Sequence, residues 1–208
     1  MRAVAGNTLR PGGFSITDRA AEFIGMLPGW RVLDVGCGLG ATMHRLRARF
    51  GARTYGVELS ASQLAQTGDT AGMVMAAGDR LPFRADLFHA LFCECVFSLL
   101  DDRRSALRHT HRVLRPGGFL VLSDLCAEDA GTPEADSCAG RAGPLSDTRR
   151  LVAQCGLDIL LVEDHSPRLR ELAAQLAFAG ESGGGGSCGG RLGYFLMIAR
   201  KPEVTNAG

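Results

Sequence analysis

The stretch "RVLDVGCGLGA", residues 31–41, decides how the chain reads. Val32, Leu33 and Val35 surround Asp34 in a short apolar run, and a glycine cluster follows at once. That pattern predicts a buried strand running into a tight turn that opens a helix. Turns of this kind hold nucleotides. Gly36, Gly38 and Ala41 satisfy the dinucleotide fingerprint G-x-G-x-x-G/A. Yet Asp34 stands just before the first glycine, and Gly36-Cys37-Gly38-Leu39-Gly40 is tighter than that fingerprint needs. The stretch alone leaves the nucleotide open.

Upstream, Ala20, Ala21, Phe23, Ile24 and Leu27 recur at helical spacing, which predicts a helix over 17–27 with Thr17 as N-cap. Downstream, Met43, Leu46 and Phe50 mark a helix ending at Gly51. "TYGVEL" (54–59), "MVMAA" (73–77), "FHALFCECV" (88–96), "FLVLSDL" (119–125), "LDILLVED" (157–164) and "GYFLMIARK" (193–201) read as further strands. Helices are expected over 60–67, from about Arg103 to Leu114, after a Ser146 cap, and from Ser166-Pro167 to Gly180. Strand and helix alternate, and the strands are continuously apolar. This is the signature of a parallel sheet covered on both faces. Residues 126–144 contain no large apolar side chain and read as a lid or acceptor loop that adds nothing to the core, and 180–190 as a Gly-rich loop.

Ligands of an open parallel sheet bind beyond the carboxyl ends of its strands. There the first strand offers Asp34, the second Glu58, the third Asp79 after Gly78, and the fourth Cys93-Glu94-Cys95. Glu58 lies 22 residues after Gly36 and can accept from both hydroxyls of a ribose. Asp79 can accept from the exocyclic amine of an adenine. Asp34 would repel a pyrophosphate but suits an ammonium and a sulfonium. Carboxylates at these stations match a cationic adenosine ligand, S-adenosylmethionine.

"VLDVGCGLG", "GVELS", "AAGDRLPF" and "RVLRPGGFLVLSD" together resemble the successive motifs of class I S-adenosylmethionine-dependent methyltransferases. The small-molecule subgroup related to ubiquinone/menaquinone biosynthesis enzymes, methyltransferase type 11, is the most similar, over about residues 17–125. The resemblance implies a Rossmann-like, doubly wound α/β fold of seven strands, mostly parallel, with the last strand antiparallel between the fifth and sixth. It implies one domain over 1–208, with S-adenosylmethionine at Asp34, Gly36, Cys37, Gly38, Gly40, Glu58, Leu59, Gly78, Asp79, Arg80 and Cys93. Asp34, Gly36 and Gly38 would line the methionine end and Glu58 the ribose, while Asp79 and the Arg80 backbone N–H would read adenine. "LRPGGFSITDRA" (9–20) resembles a segment that closes over the cofactor. Glu94, then Asp124, are the candidate bases. "CVFSLLDD" also resembles arsenite methyltransferases, in which a cysteine here binds the metalloid. Cys93 and Cys95 as alternate strand residues could share a face, and Cys95 would be the catalytic residue of an arsenite- or thiol-type methyltransferase. The other reading is that both cysteines are small apolar core fillers.

Composition narrows the partners. A net charge of +1 calls for neither nucleic acid nor an anionic membrane. The start carries no signal-peptide run and no window approaches a membrane span, so a cytoplasmic protein is expected, a monomer or homodimer acting on a small-molecule acceptor. Seven irregularly spaced cysteines without a C-x-x-C predict reduced thiols and no structural zinc. A nicotinamide-dependent reductase is disfavoured, because neither Tyr55 nor Tyr194 precedes a lysine at Tyr-x-x-x-Lys spacing. A non-catalytic S-adenosylmethionine-binding protein is the remaining alternative.

Overall fold

A computed structural model of the chain describes residues 10–67, 71–129, 137–178 and 192–203. Its strands are β1 (Arg31–Val35), β2 (Arg53–Glu58), β3 (Met73–Met75), β4 (Phe88–Glu94), β5 (Leu114–Cys126), β6 (Asp158–Asp164) and β7 (Gly193–Arg200). They form one sheet in the order β3-β2-β1-β4-β5-β7-β6. The first five are mutually parallel, and β7 runs antiparallel to both β5 and β6. This is the doubly wound, seven-stranded arrangement the motifs implied.

The described helices are α1 (Phe14–Phe23), α2 (Ala41–Phe50), α3 (Ala61–Gln66), α4 (Arg103–Val113), α5 (Cys138–Arg141), α6 (Leu145–Gln154) and α7 (Ser166–Phe178). Alternation along each strand sends side chains to two separate cores. Leu33, Val35, Leu91, Cys93, Leu120 and Leu122 pack with Leu107 of α4 and Val152 of α6. Val32, Ala90, Phe92, Val121, Tyr194 and Leu196 pack on the other face with Ile16, Ala20 and Ala21 of α1 and Leu46 of α2. No helix among the described residues is long and apolar enough to cross a membrane.

Several boundaries differ from the sequence expectation for identifiable reasons. Helix α1 starts at Phe14 behind Gly13, so Thr17 is not a cap but a fully buried residue of the second turn. Helix α6 starts behind Pro144, which leaves Ser146 inside its first turn. Strand β5 begins at Leu114 because the Arg115–Gly118 segment is only an excursion: Leu114 pairs with Phe88, and pairing resumes at Phe119 with Ala90. Gly118 permits this, since a Cβ there would lie 2.8 Å from the Arg115 carbonyl oxygen. Residues 137–144 also depart from the loop expectation. Ala142 is buried, and Arg141 donates to the Leu99 carbonyl from α5. Residues 130–136 of the expected lid and the whole 180–190 loop lie outside the described residues.

Candidate active site

The glycine turn sits at the carboxyl ends of β1 and β2. Gly36, Gly38 and Gly40 all have left-handed φ angles, of 70°, 53° and 81°. Such angles strain any residue with a side chain. The backbone N–H groups of Gly36 and Cys37 both donate to the Val57 carbonyl, at 2.8 and 3.0 Å, folding the turn back onto β2. Glu58 finishes the job: Oε2 accepts from Gly38 N at 2.9 Å and Oε1 from Ser60 N at 2.8 Å. Each oxygen keeps a lone pair for a further donor. Leu59 is exposed beside it, and Cys37 is buried, its thiol pushed up to about 12 chiefly by burial.

Asp34 is 5% exposed, and its carboxyl group has no hydrogen-bond or ion-pair partner among the described residues. Burial, with the neighbouring Glu94 adding to it, pushes the group up to about 8, against the opposing pull of Arg10. A buried carboxyl group without partners is costly unless something binds it.

Around the third strand, Gly78 allows close packing, because a Cβ there would lie 2.9 Å from Val35 and 3.0 Å from Leu100. Asp79 is half-buried, and its carbonyl accepts from Ser105 Oγ at 3.1 Å. The Arg80 N–H does not match the expectation that it faces a ligand. It donates to the Ala77 carbonyl at 3.0 Å within the turn that carries Asp79.

Glu94, the first candidate base, is instead fully engaged. Oε1 accepts from Thr17 Oγ1 at 2.9 Å, and Oε2 accepts from Thr42 Oγ1 at 2.8 Å. Arg10 closes the network with an ion pair of 2.6 Å to Oε2. The same guanidinium donates to both threonine hydroxyls, at 2.8 and 2.6 Å. Each hydroxyl thus accepts from Arg10 and donates to Glu94, so the segment before α1, α1 itself, α2 and β4 are tied at one point. Asp124 is similarly committed: it accepts from Ser98 N at 2.7 Å, Ser98 Oγ at 3.1 Å and Leu125 N at 2.7 Å. Burial raises its pKa, and those bonds oppose the rise.

Cys93 and Cys95 do not share a face. Cys93 is buried in the core beneath α4, between Val35 and Leu122, and so does not reach the cleft as a cofactor contact would. Cys95 lies past the strand end with a left-handed φ of 57°, which breaks the alternation and turns it toward the α1 face. Its sulfur lies 3.2 Å from Tyr194 Oη, which donates in turn to Ser123 Oγ. Burial and Asp124 push its thiol up, the reverse of what a thiolate ligand for a metalloid requires. The six described cysteines are free thiols, and Cys188 lies outside the described residues.

Arg10, Thr17 and Thr42 were not singled out as site residues by motif. Only the resemblance of residues 9–20 to a closing segment pointed at their neighbourhood, and the Arg10–Glu94 contact spans too many residues for any local pattern to reveal.

Residues 33–122 match the family described as Methyltransferase domain. The O-methyltransferase cnsE of Penicillium expansum is 30% identical over 92% of this chain and 75% of its own length. Haemonchus contortus phosphoethanolamine N-methyltransferase 2, solved with phosphomonomethylethanolamine and S-adenosylhomocysteine, superposes with a TM-score of 0.80 at 20% identity, covering 97% of this chain and 56% of that one. The [4+2]-cyclase SpnF superposes with a TM-score of 0.78 at 24% identity, covering 96% and 85%. At those identities the two structures speak for the fold alone. With its fold, its motifs and its fungal relative in agreement, the chain belongs to the class I S-adenosylmethionine-dependent methyltransferases. Three further curated relatives are matched over 45%, 65% and 59% of their lengths, so the chain spans about half to two thirds of them.

Proposed function

We propose that this chain transfers a methyl group from S-adenosylmethionine to the oxygen of a small organic acceptor. The observation that carries the donor assignment is the unpartnered, buried Asp34 carboxyl group beside a turn of three left-handed glycines. An ammonium group would supply the missing partner. Glycine at position 36 lets the turn pack directly on Val96, since a Cβ there would lie 2.4 Å from that side chain. Glu58 retains acceptor capacity for ribose hydroxyls, and we assign recognition of the adenine amine to Asp79. Oxygen as the receiving atom is supported by the likeness to the Penicillium O-methyltransferase.

S-adenosylmethionine carries an electrophilic methyl group on a sulfonium. The chain's own residues supply orientation and exclusion of water. Among the described residues, neither carboxylate considered as a base is free, because Glu94 holds α1 and Asp124 holds the Phe97–Leu99 turn. Alignment is therefore the main contribution, and it favours an acceptor hydroxyl acidic enough to ionise without help, such as a phenol or enol. We assign acceptor contacts to the segment 126–144 and treat the chain as one catalytic domain.

Calorimetry should give a dissociation constant for S-adenosylmethionine and no heat with NAD. Labelled-methyl transfer to a panel of phenols, enols, amines and thiols should yield product with the oxygen acceptors. Retention of NAD in place of S-adenosylmethionine would overturn the reading. Asp34→Asn should weaken S-adenosylmethionine roughly 30-fold or more, the scale expected when a buried charge pair loses one member. A change under threefold would remove Asp34 from the site.

The same residue predicts a pH dependence. With its pKa near 8, Asp34 is protonated at pH 6, and a cationic ligand must displace that proton. Affinity should rise by up to about tenfold per pH unit from 6 towards 8, and fall above it as the ligand's α-amino group, of pKa about 8, loses its charge. Titrations in buffers of different ionisation enthalpy should show proton release at pH 7. For folding the sign is opposite. The folded-state pKa lies above the ordinary value of 3.8, so this group's stabilisation is complete below pH 3.8 and is lost as pH rises through about 8. Asp34→Asn should remove that loss.

A further inference from the structure

A second cleft, of about 310 Å³, opens behind the Phe97–Leu99 turn, between the start of α4 and the start of α6. Its size is that of a small-molecule site. Phe97, Leu100 and Leu151 form apolar walls, and Arg103 and Arg141 supply two guanidinium groups. Two carboxylates and two guanidinium groups line it, and they pair unevenly. Arg141 pairs with Asp101, which is exposed at the rim, and Asp147 pairs with Arg150. Arg103 has no carboxylate partner among the described residues. One of its nitrogens donates to the carbonyls of Ser98 and Arg141, at 2.8 and 2.9 Å, and its other nitrogens have none. It is half-buried; burial opposes its charge, and the Asp124 carboxylate beyond hydrogen-bond reach favours it. Arg141 Nε is buried without any partner in the same cleft. The first turn of α6 also borders the space through Pro144, which provides no side-chain cap, although Asp147 in the same turn offsets the positive end of the helix.

Two guanidinium groups with spare donors and apolar walls are a recognition set for a planar organic anion. We propose that this cleft binds the carboxylate of a small aromatic or enolic acid, with Arg103 as the residue that reads the charge. The site connects to the cofactor side of the sheet: the Ser98 carbonyl accepts from Arg103, while Ser98 N and Oγ both bond Asp124 at the end of β5. The acid is either part of the methyl acceptor itself, which rests on the methyl-transfer reading above, or a separate organic acid seated beside it. Both present the same group to Arg103.

Benzoate and the neutral benzamide serve as probes, measured by calorimetry against the full chain with and without S-adenosylmethionine. Benzoate should bind, and benzamide should bind at least tenfold more weakly. Arg103→Met should abolish the difference between the two probes. Thr148→Trp, which fills the cleft from α6, should weaken both. Both variants should unfold in one cooperative transition and bind S-adenosylmethionine within threefold, which separates loss of the site from loss of the fold. A parallel methyl-transfer series, hydroxybenzoates against hydroxybenzamides, assigns the source. Selective loss of the acids in Arg103→Met identifies the acceptor, and benzoate binding with an unchanged series identifies a separate acid. Benzoate that fails to bind wild type, or binds Arg103→Met equally well, overturns the proposal. Benzoate binding in a chain that ignores S-adenosylmethionine would leave the cleft standing and remove the methyl-transfer reading instead.

Discussion

Arg10→Met should lower folding stability by about 3–5 kcal/mol, the cost of removing one partner from a buried ion pair. The Glu94 carboxylate is almost wholly buried, with a side-chain exposure of 2%, and Arg10 is its only charged partner among the described residues. Without the guanidinium, both threonine hydroxyls lose a donor and Glu94 remains charged in an apolar wall. The loss should appear in urea unfolding as a lower midpoint. Hydrogen exchange should localise it to Phe14–Phe23. Adding Glu94→Gln to the variant should recover a large part, because it removes the stranded charge while keeping an oxygen for the threonines. A loss under 1 kcal/mol, or no recovery in the double variant, would mean that the network is ornamental.

Gly36→Ala has the second-largest expected effect. Two costs combine: a left-handed φ of 70° disfavours a side chain by about 1–2 kcal/mol, and the new Cβ would meet Val96 Cγ2 at 2.4 Å. Overpacking of that kind costs roughly 1–3 kcal/mol. A total on the order of 3 kcal/mol is expected in chemical unfolding, together with loss of S-adenosylmethionine binding as the turn shifts. The companion Val96→Ala should relieve only the steric part when combined with Gly36→Ala, so a double-mutant cycle separates strain from collision. If the cycle shows no coupling, Val96 is not what limits the turn.

How much of this was legible in the amino-acid order depends on the range of each interaction. Arg31–Val35 and its glycines are readable because the apolar run, the turn residues and the helix start are all local. The sheet order followed from four motifs taken together rather than from any single strand. Thr17 was misread as a cap because helical periodicity records apolar positions, and nothing in it shows a hydroxyl facing a carboxylate 77 residues away. Cys93 does fill the core, but the shared face open to Cys93 and Cys95 fails because alternation holds only while the strand continues. The left-handed residue at Cys95 ends it, and a non-glycine residue gives no warning of such an angle. The Arg80 N–H was lost to the ligand for a comparably local reason: a turn closes on Ala77 before the chain can offer it outward.

The position of β7 has a consequence for how the molecule is made. Strands β3, β2, β1, β4 and β5 can assemble as soon as Cys126 has left the ribosome, since each has its neighbours within the chain already synthesised. Strand β6 cannot join them, because its only partner strand among the described residues is β7, residues 193–200, made some thirty residues later. Between those moments β6 emerges as an unpaired apolar edge, and the outer edge of β5 stands open, so a ribosome stalled in this interval should present a nascent chain that chaperones recognise.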